Sequence, residues 1–274
     1  MTVKVITDST SYLDPEYIKK EDISVVPLNY IFGGVESKEG LKGSFEDFYR
    51  ELESSTDFPT TSQPSAGDFL NAYNDALRDY DEAIVIVLSS KISGTYNSAT
   101  TAGTMLEDKK VTIVDSTVAA AALKFLVEDA VEMSKQGMDA ASIAKVLDEQ
   151  KEKMEVLLTP ESLEYLTRGG RMSTLKSSIG KLLNIKPIIR LIDGELKLEE
   201  KARGRKKAIA RLIELVRPEV KRIGVCHILD LEEAQLVTKT LKEKFPKAVI
   251  TFEDLGPVIG SHLGPKTIGL CIYY

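Results

Sequence analysis

The stretch AIVIVLSSKISGTYNSA, Ala83 to Ala99, carries the reading that decides the fold. Its apolar run, Ala83 to Leu88, has the length and texture of a buried parallel strand. The hydroxyl-rich turn that follows, with Gly94, opens onto helical spacing. The same unit recurs on both sides: VKVIT (3–7) and ISVVPLNYIF (23–32) precede it, and VTIVDS (111–116) follows, separated by amphipathic segments. This is the βαβ rhythm of a mostly parallel sheet covered by helices on both faces. Ser44 and Ser65 each stand three residues ahead of an Asp and lead into FEDFYREL and AGDFLNAYNDAL, which predicts two capped helices. An Ala-rich helix from about Thr117 to Lys135, stopped by Gly137, and another from Ala140 to about Lys153 complete a three-layer α/β/α domain expected over residues 1–155.

From Glu155 the texture changes. A strand EVLLT is followed by PESLEYLTRGGRMS, and IKPIIRLI turns at Asp193-Gly194 into ELKLEEKA, a hairpin signal. A helix from about Gly204 to Val216, strand RIGVCHI, a helix from Leu231 to Lys244, and strands AVITFEDL and TIGLCIYY complete the chain. Residues 156–274 therefore read as an α+β domain with a mixed sheet.

Composition excludes several function classes. With 36 Lys plus Arg against 42 Asp plus Glu the net charge is −6, which disfavours a general nucleic-acid binder, because neutralising phosphates requires clustered positive charge. Two cysteines far apart, Cys226 and Cys271, and two histidines form no metal-ligand spacing. The N-terminus opens directly into a strand-like run with no basic, apolar leader, and no apolar stretch approaches a membrane span. A cytoplasmic protein is expected.

In an α/β sheet, ligands bind at the carboxyl ends of strands. Here those ends carry Asp8-Ser9-Thr10, Ser89-Ser90 with Ser93-Gly94-Thr95, and Asp115-Ser116-Thr117, joined by a fourth hydroxyl cluster, Thr60 to Ser65. Such a rim offers neutral donors suited to a carboxylate or phosphate; equally, Ser and Thr there can serve only as caps and turns. No Walker-type lysine and no GxGxxG support nucleotide binding. A nucleophilic Ser93 would need His227 or His262 as base. His227 lies within a strand, and His262 in the Gly/Pro-rich segment Gly256 to Pro265, read as a loop between strands. The segment Lys197 to Arg222, with ten basic residues against four acidic, is either a solvated face or a patch for an acidic partner. Arg168-Gly169-Gly170-Arg171 forms a second basic turn.

Taken together, ITDST, TTSQPSAGDF, LSSKISGTYNSA, VDS, LEYLTRGGRMS, KPII and GPVIGSHLGP run in order across essentially the whole chain. The chain resembles the DegV family, fatty-acid-binding proteins that include the FakB subunits of bacterial fatty acid kinase. The resemblance implies a long-chain fatty acid such as palmitate or oleate held between the two domains. It also implies that the chain is a carrier with no catalysis of its own, no metal and no cofactor, and a separate kinase subunit as partner; transient membrane contact is compatible with it. By motif, Thr61, Ser93 and His262 resemble the carboxylate-binding set, with Ser62, Gly94 and Asn97 beside them. Arg203 and Arg205 resemble the kinase-docking region, without a choice between the two. Lys91 and Lys266 depart from the family pattern, Lys266 where glycine is common. A carboxylate held by neutral Ser/Thr donors and one His, without a buried Lys or Arg, would stay accessible to a kinase. Two other readings remain: a serine hydrolase or acyltransferase using Ser93 and His262, against which stands the missing GxSxG elbow, and a regulatory domain binding a small polar acid.

Overall fold

Strand β1 (Val3–Asp8) is buried along its whole length, as a strand covered on both faces must be. A computed structural model describes residues 2–107, 110–172 and 185–274. After β1, helix α1 (Pro15–Lys20), capped by Asp14, leads to β2 (Ser24–Val26), which pairs parallel with β1. Pro27 follows β2, and the run expected as one strand is two strands in two sheets. Proline lacks the N–H a continuing ladder needs. Strand β3 (Asn29–Phe32) turns through Gly33 and Gly34, both at positive φ, into β4 (Val35–Lys38). Helix α2 (Glu46–Ser54) and β5 (Thr60–Ser62) come next, and β4-β3-β5 form a small antiparallel sheet.

Helix α3 (Ala66–Asp79), β6 (Glu82–Val87), α4 (Thr95–Thr104) and β7 (Val111–Asp115) complete a parallel sheet in the order β2-β1-β6-β7. Alternate residues of β6 feed two cores. Val85 and Val87 pack with Phe69 and Tyr73 of α3, while Ile84 and Ile86 pack with Phe125 and Leu126 of α5 (Ala121–Lys135). Helix α6 (Ala140–Lys151) lies beside α5. The three-layer α/β/α arrangement is as expected.

The helix starts need two corrections. Ser65 forms the expected capping box with Asp68, but Ser44 spends its hydroxyl on the Leu41 carbonyl and α2 begins at Glu46 without a side-chain cap. Helix α5 starts at Ala121 rather than Thr117, because Thr117 and Ala120 take left-handed φ and the Val118 carbonyl accepts from the Ser89 N–H at the sheet edge.

The second sheet is built from β8 (Met154–Thr159), then, after α7 (Glu164–Arg168), β9 (Ile185–Ile192) and β10 (Glu195–Arg203). Helix α8 (Arg205–Glu214), β11 (Arg222–Ile228), α9 (Leu231–Lys244), β12 (Val249–Asp254), α10 (Pro257–Leu263) and β13 (Thr267–Tyr273) follow. Its order is β10-β9-β8-β13-β11-β12; β11 and β12 pair parallel and the other neighbours antiparallel, so the sheet is mixed as expected. Asp193 and Gly194 both have positive φ, the mark of a type I′ hairpin turn. Ser173, the last residue of the LEYLTRGGRMS block, lies outside the described residues.

One face of this sheet is covered by α8 and α9. The other is turned toward α5, so that α5 lies between the two sheets. Contact there is close: a Cβ at Gly224 of β11 would stand 2.2 Å from the Ala121 Cβ. Glu253 of β12, 1% exposed, receives Lys124 of α5 at 2.6 Å and Lys42 at 2.7 Å. With its charge matched twice, this buried carboxylate links the two halves.

Candidate functional site

Between the halves runs an apolar cavity, about 920 Å³ counting the space it shares with solvent at its mouth. Leu28, Leu88, Ala119 and Ala120 line it from the first half, Val156, Leu158, Leu191 and Cys226 from the second sheet. Polar groups gather where Thr61, Ser62, Gln63, Ser93, Arg171 and His262 meet.

His262 reaches this cluster from α10, not from a loop. Pro257 stands at the first turn, where its missing N–H costs nothing, and Gly264 ends the helix at φ +74° with the Tyr165 ring pressed against it. Gly260 leaves room for the Tyr49 hydroxyl, which bonds the Leu255 and Gly256 carbonyls just ahead of the helix. The buried Glu39 carboxylate accepts from the Val258 N–H at 2.8 Å and from the hydroxyls of Ser9 and Tyr12. Burial pushes Glu39 up to about 7 against these three donors. Glu39 thus tethers the start of α10 to the turn after β1.

His262 Nε2 lies 2.7 Å from Thr61 Oγ1, a contact across 201 residues. Burial, helped by the positive charge of Arg171, lowers the imidazole from 6.5 to about 4, so the ring is neutral near pH 7. Its Nδ1 is buried without a hydrogen-bond partner among the described residues. With the proton on Nε2, the ring donates to Thr61 and leaves the threonine hydroxyl hydrogen free for an anion. A histidine NMR titration of the ligand-free protein should therefore show His262 with a midpoint near 4. A bound carboxylate favours the imidazolium and should move that midpoint up; no movement would separate the ring from the ligand's head group.

Ser93 sits in the turn before α4, its Oγ 2.8 Å from Thr95 Oγ1. A Cβ at Gly94 would stand 2.9 Å from the Gln63 side chain, so the TSQPS and SGTY blocks interlock. Gly94 thus shapes the site without lining the cavity. Ser62 lines it and accepts from Asn29 Nδ2 at 3.4 Å. Asn97, by contrast, is exposed on α4 and outside the lining, because the helix turns it away from the cavity.

The other two hydroxyl clusters serve the scaffold. Asp8 accepts from the Leu88 N–H and from Thr10, and burial raises its carboxyl to about 6. Asp115 accepts from the N–H groups of Ser90 and Thr117. Ser89 donates to the Gly194 carbonyl at 2.9 Å, docking the β9–β10 hairpin on the first sheet.

Beside the expected set of neutral donors without a buried Lys or Arg, the structure brings Arg171, half-buried, into the cavity lining. Its guanidinium holds the Ile92 and Gly169 carbonyls at 3.1 and 2.7 Å, and burial depresses its affinity for the proton. The signal was in the RGGR block. Gly169 lets the backbone lie against the His262 ring, Gly170 takes φ +75°, and Arg171 enters the site. Gln63 and Thr267 also line the cavity beyond the expected residues.

Arg203 and Arg205 differ. Arg205 is held by Glu161, Asp230 and Glu233, whereas Arg203 is exposed. Lys91 is also exposed, in a surface depression that shares Ile92, Ser93 and Arg171 with the cavity lining. Lys266 adopts φ +57°, a backbone suited to the glycine expected there, and its N–H bonds the Ile228 carbonyl. No helix among the described residues is long and apolar enough to cross a membrane.

The DegV family model matches residues 2–274. A DegV domain-containing protein of Halalkalibacterium halodurans is 37% identical over 99% of this chain and 98% of its own length. Among solved structures, DegV of Bacillus subtilis, described as a fatty acid binding protein, superposes with a TM-score of 0.92 at 34% identity, covering 100% of this chain and 99% of that one. A DegV family protein of Thermus thermophilus, described by its fatty acid binding, gives 0.91 at 30% identity with the same coverage.

Proposed function

Because the chain belongs to the DegV family, we propose that it is a non-catalytic carrier of a long-chain fatty acid, which it presents to a separate ATP-dependent kinase in the cytoplasm. The observation that carries this reading is the apolar cavity ending at the Thr61–His262 contact, with Ser93 and Arg171 beside it. Each methylene leaving water gains about 0.8 kcal/mol, and a membrane offers nearly the same, so a carrier must bury the whole tail to compete. Thr61, Ser93 and His262 would hold the carboxylate, with Arg171 adding positive charge. The proposed division runs at 155/156, two residues into β8; since all of β8 belongs to the six-stranded sheet, a break just ahead of Met154 is favoured. The first domain supplies most of the headgroup donors, and the second completes the acyl pocket and carries His262.

Purification without detergent, organic extraction and mass spectrometry should recover one fatty acid per chain. Replacing both Thr61 and Ser93 by Ala should lower retention about tenfold or more, as loss of hydrogen bonds to a charged group costs about 1.5–3 kcal/mol each. Unchanged retention would remove both from the headgroup site. The hydrolase reading lacks support: His262 Nε2 is engaged with Thr61 and the Ser93 hydroxyl with Thr95. The cavity's apolar lining likewise disfavours a small polar acid.

For the kinase surface, we favour Arg203 over Arg205. Arg205 already meets three carboxylates, while the first turn of α8 has Arg205, Lys206 and Lys207 and no acid, against the helix dipole. Positive charge there suits an acidic partner. Arg203→Glu should slow phosphorylation of the bound acid by about tenfold or more through the encounter rate while leaving retention of the acid intact. An unchanged rate would move docking elsewhere.

A further inference from the structure

We propose that Gly269, together with the small side chains around it, sets the length of tail the cavity accepts. The inference rests on the fatty-acid reading and adds to it a specificity-determining position. Residues of β13 alternate between two surroundings: Ile268, Leu270 and Ile272 enter the core under α8 and α9, while Thr267, Gly269 and Cys271 line the cavity. Thr267 donates to the Leu263 and Gly264 carbonyls at the end of α10, so that end of the strand lies beneath the His262 helix. Cys271 contacts the Ala119 carbonyl through Sγ at 3.9 Å and stands opposite Gly224. There the Cβ of Ala121 fills the space over Gly224, and neither residue lines the cavity. Gly269 lies between these two ends, directly opposite Cys226.

The two strand glycines have different causes. At Gly224 a side chain would strike Ala121, so packing within the protein requires glycine. At Gly269 a Cβ would meet the Leu157 carbonyl oxygen at 3.5 Å, the Leu158 Cβ at 3.6 Å and the Cys226 Cβ at 3.7 Å, ordinary contacts without left-handed backbone. Nothing among the described residues demands glycine at 269. Glycine weakens a strand and marks a place where something else comes close. Cys226 faces it on β11 and Leu158 on β8, Cys271 follows on the same face of β13, and Ala119 and Ala120 line the same cavity from the segment before α5, so small side chains stand at several lining positions where a sheet face normally carries Val, Ile or Leu. This hollow is the deep end of the tail's path.

The test compares wild type with Gly269→Ala, Gly269→Val and Cys226→Val. Each is purified without detergent, its bound acids are identified by mass spectrometry, and its affinities are measured for a saturated series from laurate to stearate. A thermal melt of each variant checks that it folds. Losing room for one methylene should cost about fourfold in affinity, so Gly269→Val is expected to lower the stearate-to-myristate preference about tenfold or more and to shift the extracted acids toward shorter chains. Gly269→Ala should shift them less in the same direction, and Cys226→Val should reproduce the effect from the facing strand. Should Gly269→Val fail to fold, the other two variants decide. A wild-type chain profile in the folded variants would overturn the proposal. Wild-type protein that carries no fatty acid and binds none of the series would instead overturn the carrier reading beneath it.

Discussion

Gly169→Ala is expected to lower fatty-acid retention by about tenfold or more while leaving the fold standing, from the loss of one or two hydrogen bonds to a charged group. The residue has φ −70° and ψ −4°, which alanine adopts without strain, so the effect is purely one of space. Its Cβ would stand 2.2 Å from His262 Nδ1, 3.0 Å from Cε1 and 3.1 Å from the Tyr165 carbonyl oxygen. The imidazole is the softest of these neighbours. Displacing it breaks the 2.7 Å contact with Thr61 and disturbs two of the three groups proposed to receive the carboxylate. Extraction with mass spectrometry, paired with a thermal melt, reads the result: retention falls and the melt stays within a few degrees. Full retention would show that His262 is not part of the headgroup site.

Gly224→Val should have the largest effect on stability, about 3 kcal/mol or more, at the upper end of what overpacking costs. For a chain of this size that is a fall in Tm of about 6 to 12 °C. The added side chain would meet the Cβ of Ala121 at the first turn of α5 and the Phe125 ring beyond it, and the flanking strands β12 and β13 hold β11 in place. Neither side can yield as a flexible surface chain would. Chemical denaturation measures the loss, and the double variant Gly224→Val with Ala121→Gly should recover a good part of it, because the two positions compete for one space. Strict additivity would show that the helix and sheet are not in direct opposition there.

Much of this architecture is visible in the residues themselves. The runs around Val3 and Ala83 are buried on both faces, the run around Val111 is a half-buried edge strand, and all three read as parallel strands without help from the rest of the chain. Asp193-Gly194 makes the turn its chemistry demands, and Ser65 caps the helix it precedes. The small sheet β4-β3-β5 gives a weaker signal. Gly33-Gly34 marks the β3–β4 turn, but the strands are three or four residues long, β4 is largely exposed, and β5 is Thr-Thr-Ser, held extended by pairing with the distant β3 rather than by local pattern. Yet β5 carries Thr61. Helix α10 was legible in part: proline at its start and glycine at its end are the expected asymmetry, masked by the internal Gly260 that Tyr49 requires.

Hydroxyl clusters at four chain positions are a property of the sequence, but their division of labour is not. Asp8 and Asp115 close on backbone N–H groups around them, and only the Thr61 and Ser93 clusters line the cavity. Arg171 enters the site because Gly169 and Gly170 let the chain turn against His262, a relation between segments far apart in sequence. The sequence by itself determined most of the strands and helices, α10 and the small sheet excepted, since the periods of two and 3.6 report which face of an element leaves water. Only the tertiary structure decided where the cavity lies. An apolar residue facing another side chain and one facing an empty channel leave the same mark in sequence, and the difference arises when α5 and the second sheet meet closely at Gly224 but stand apart over Gly269.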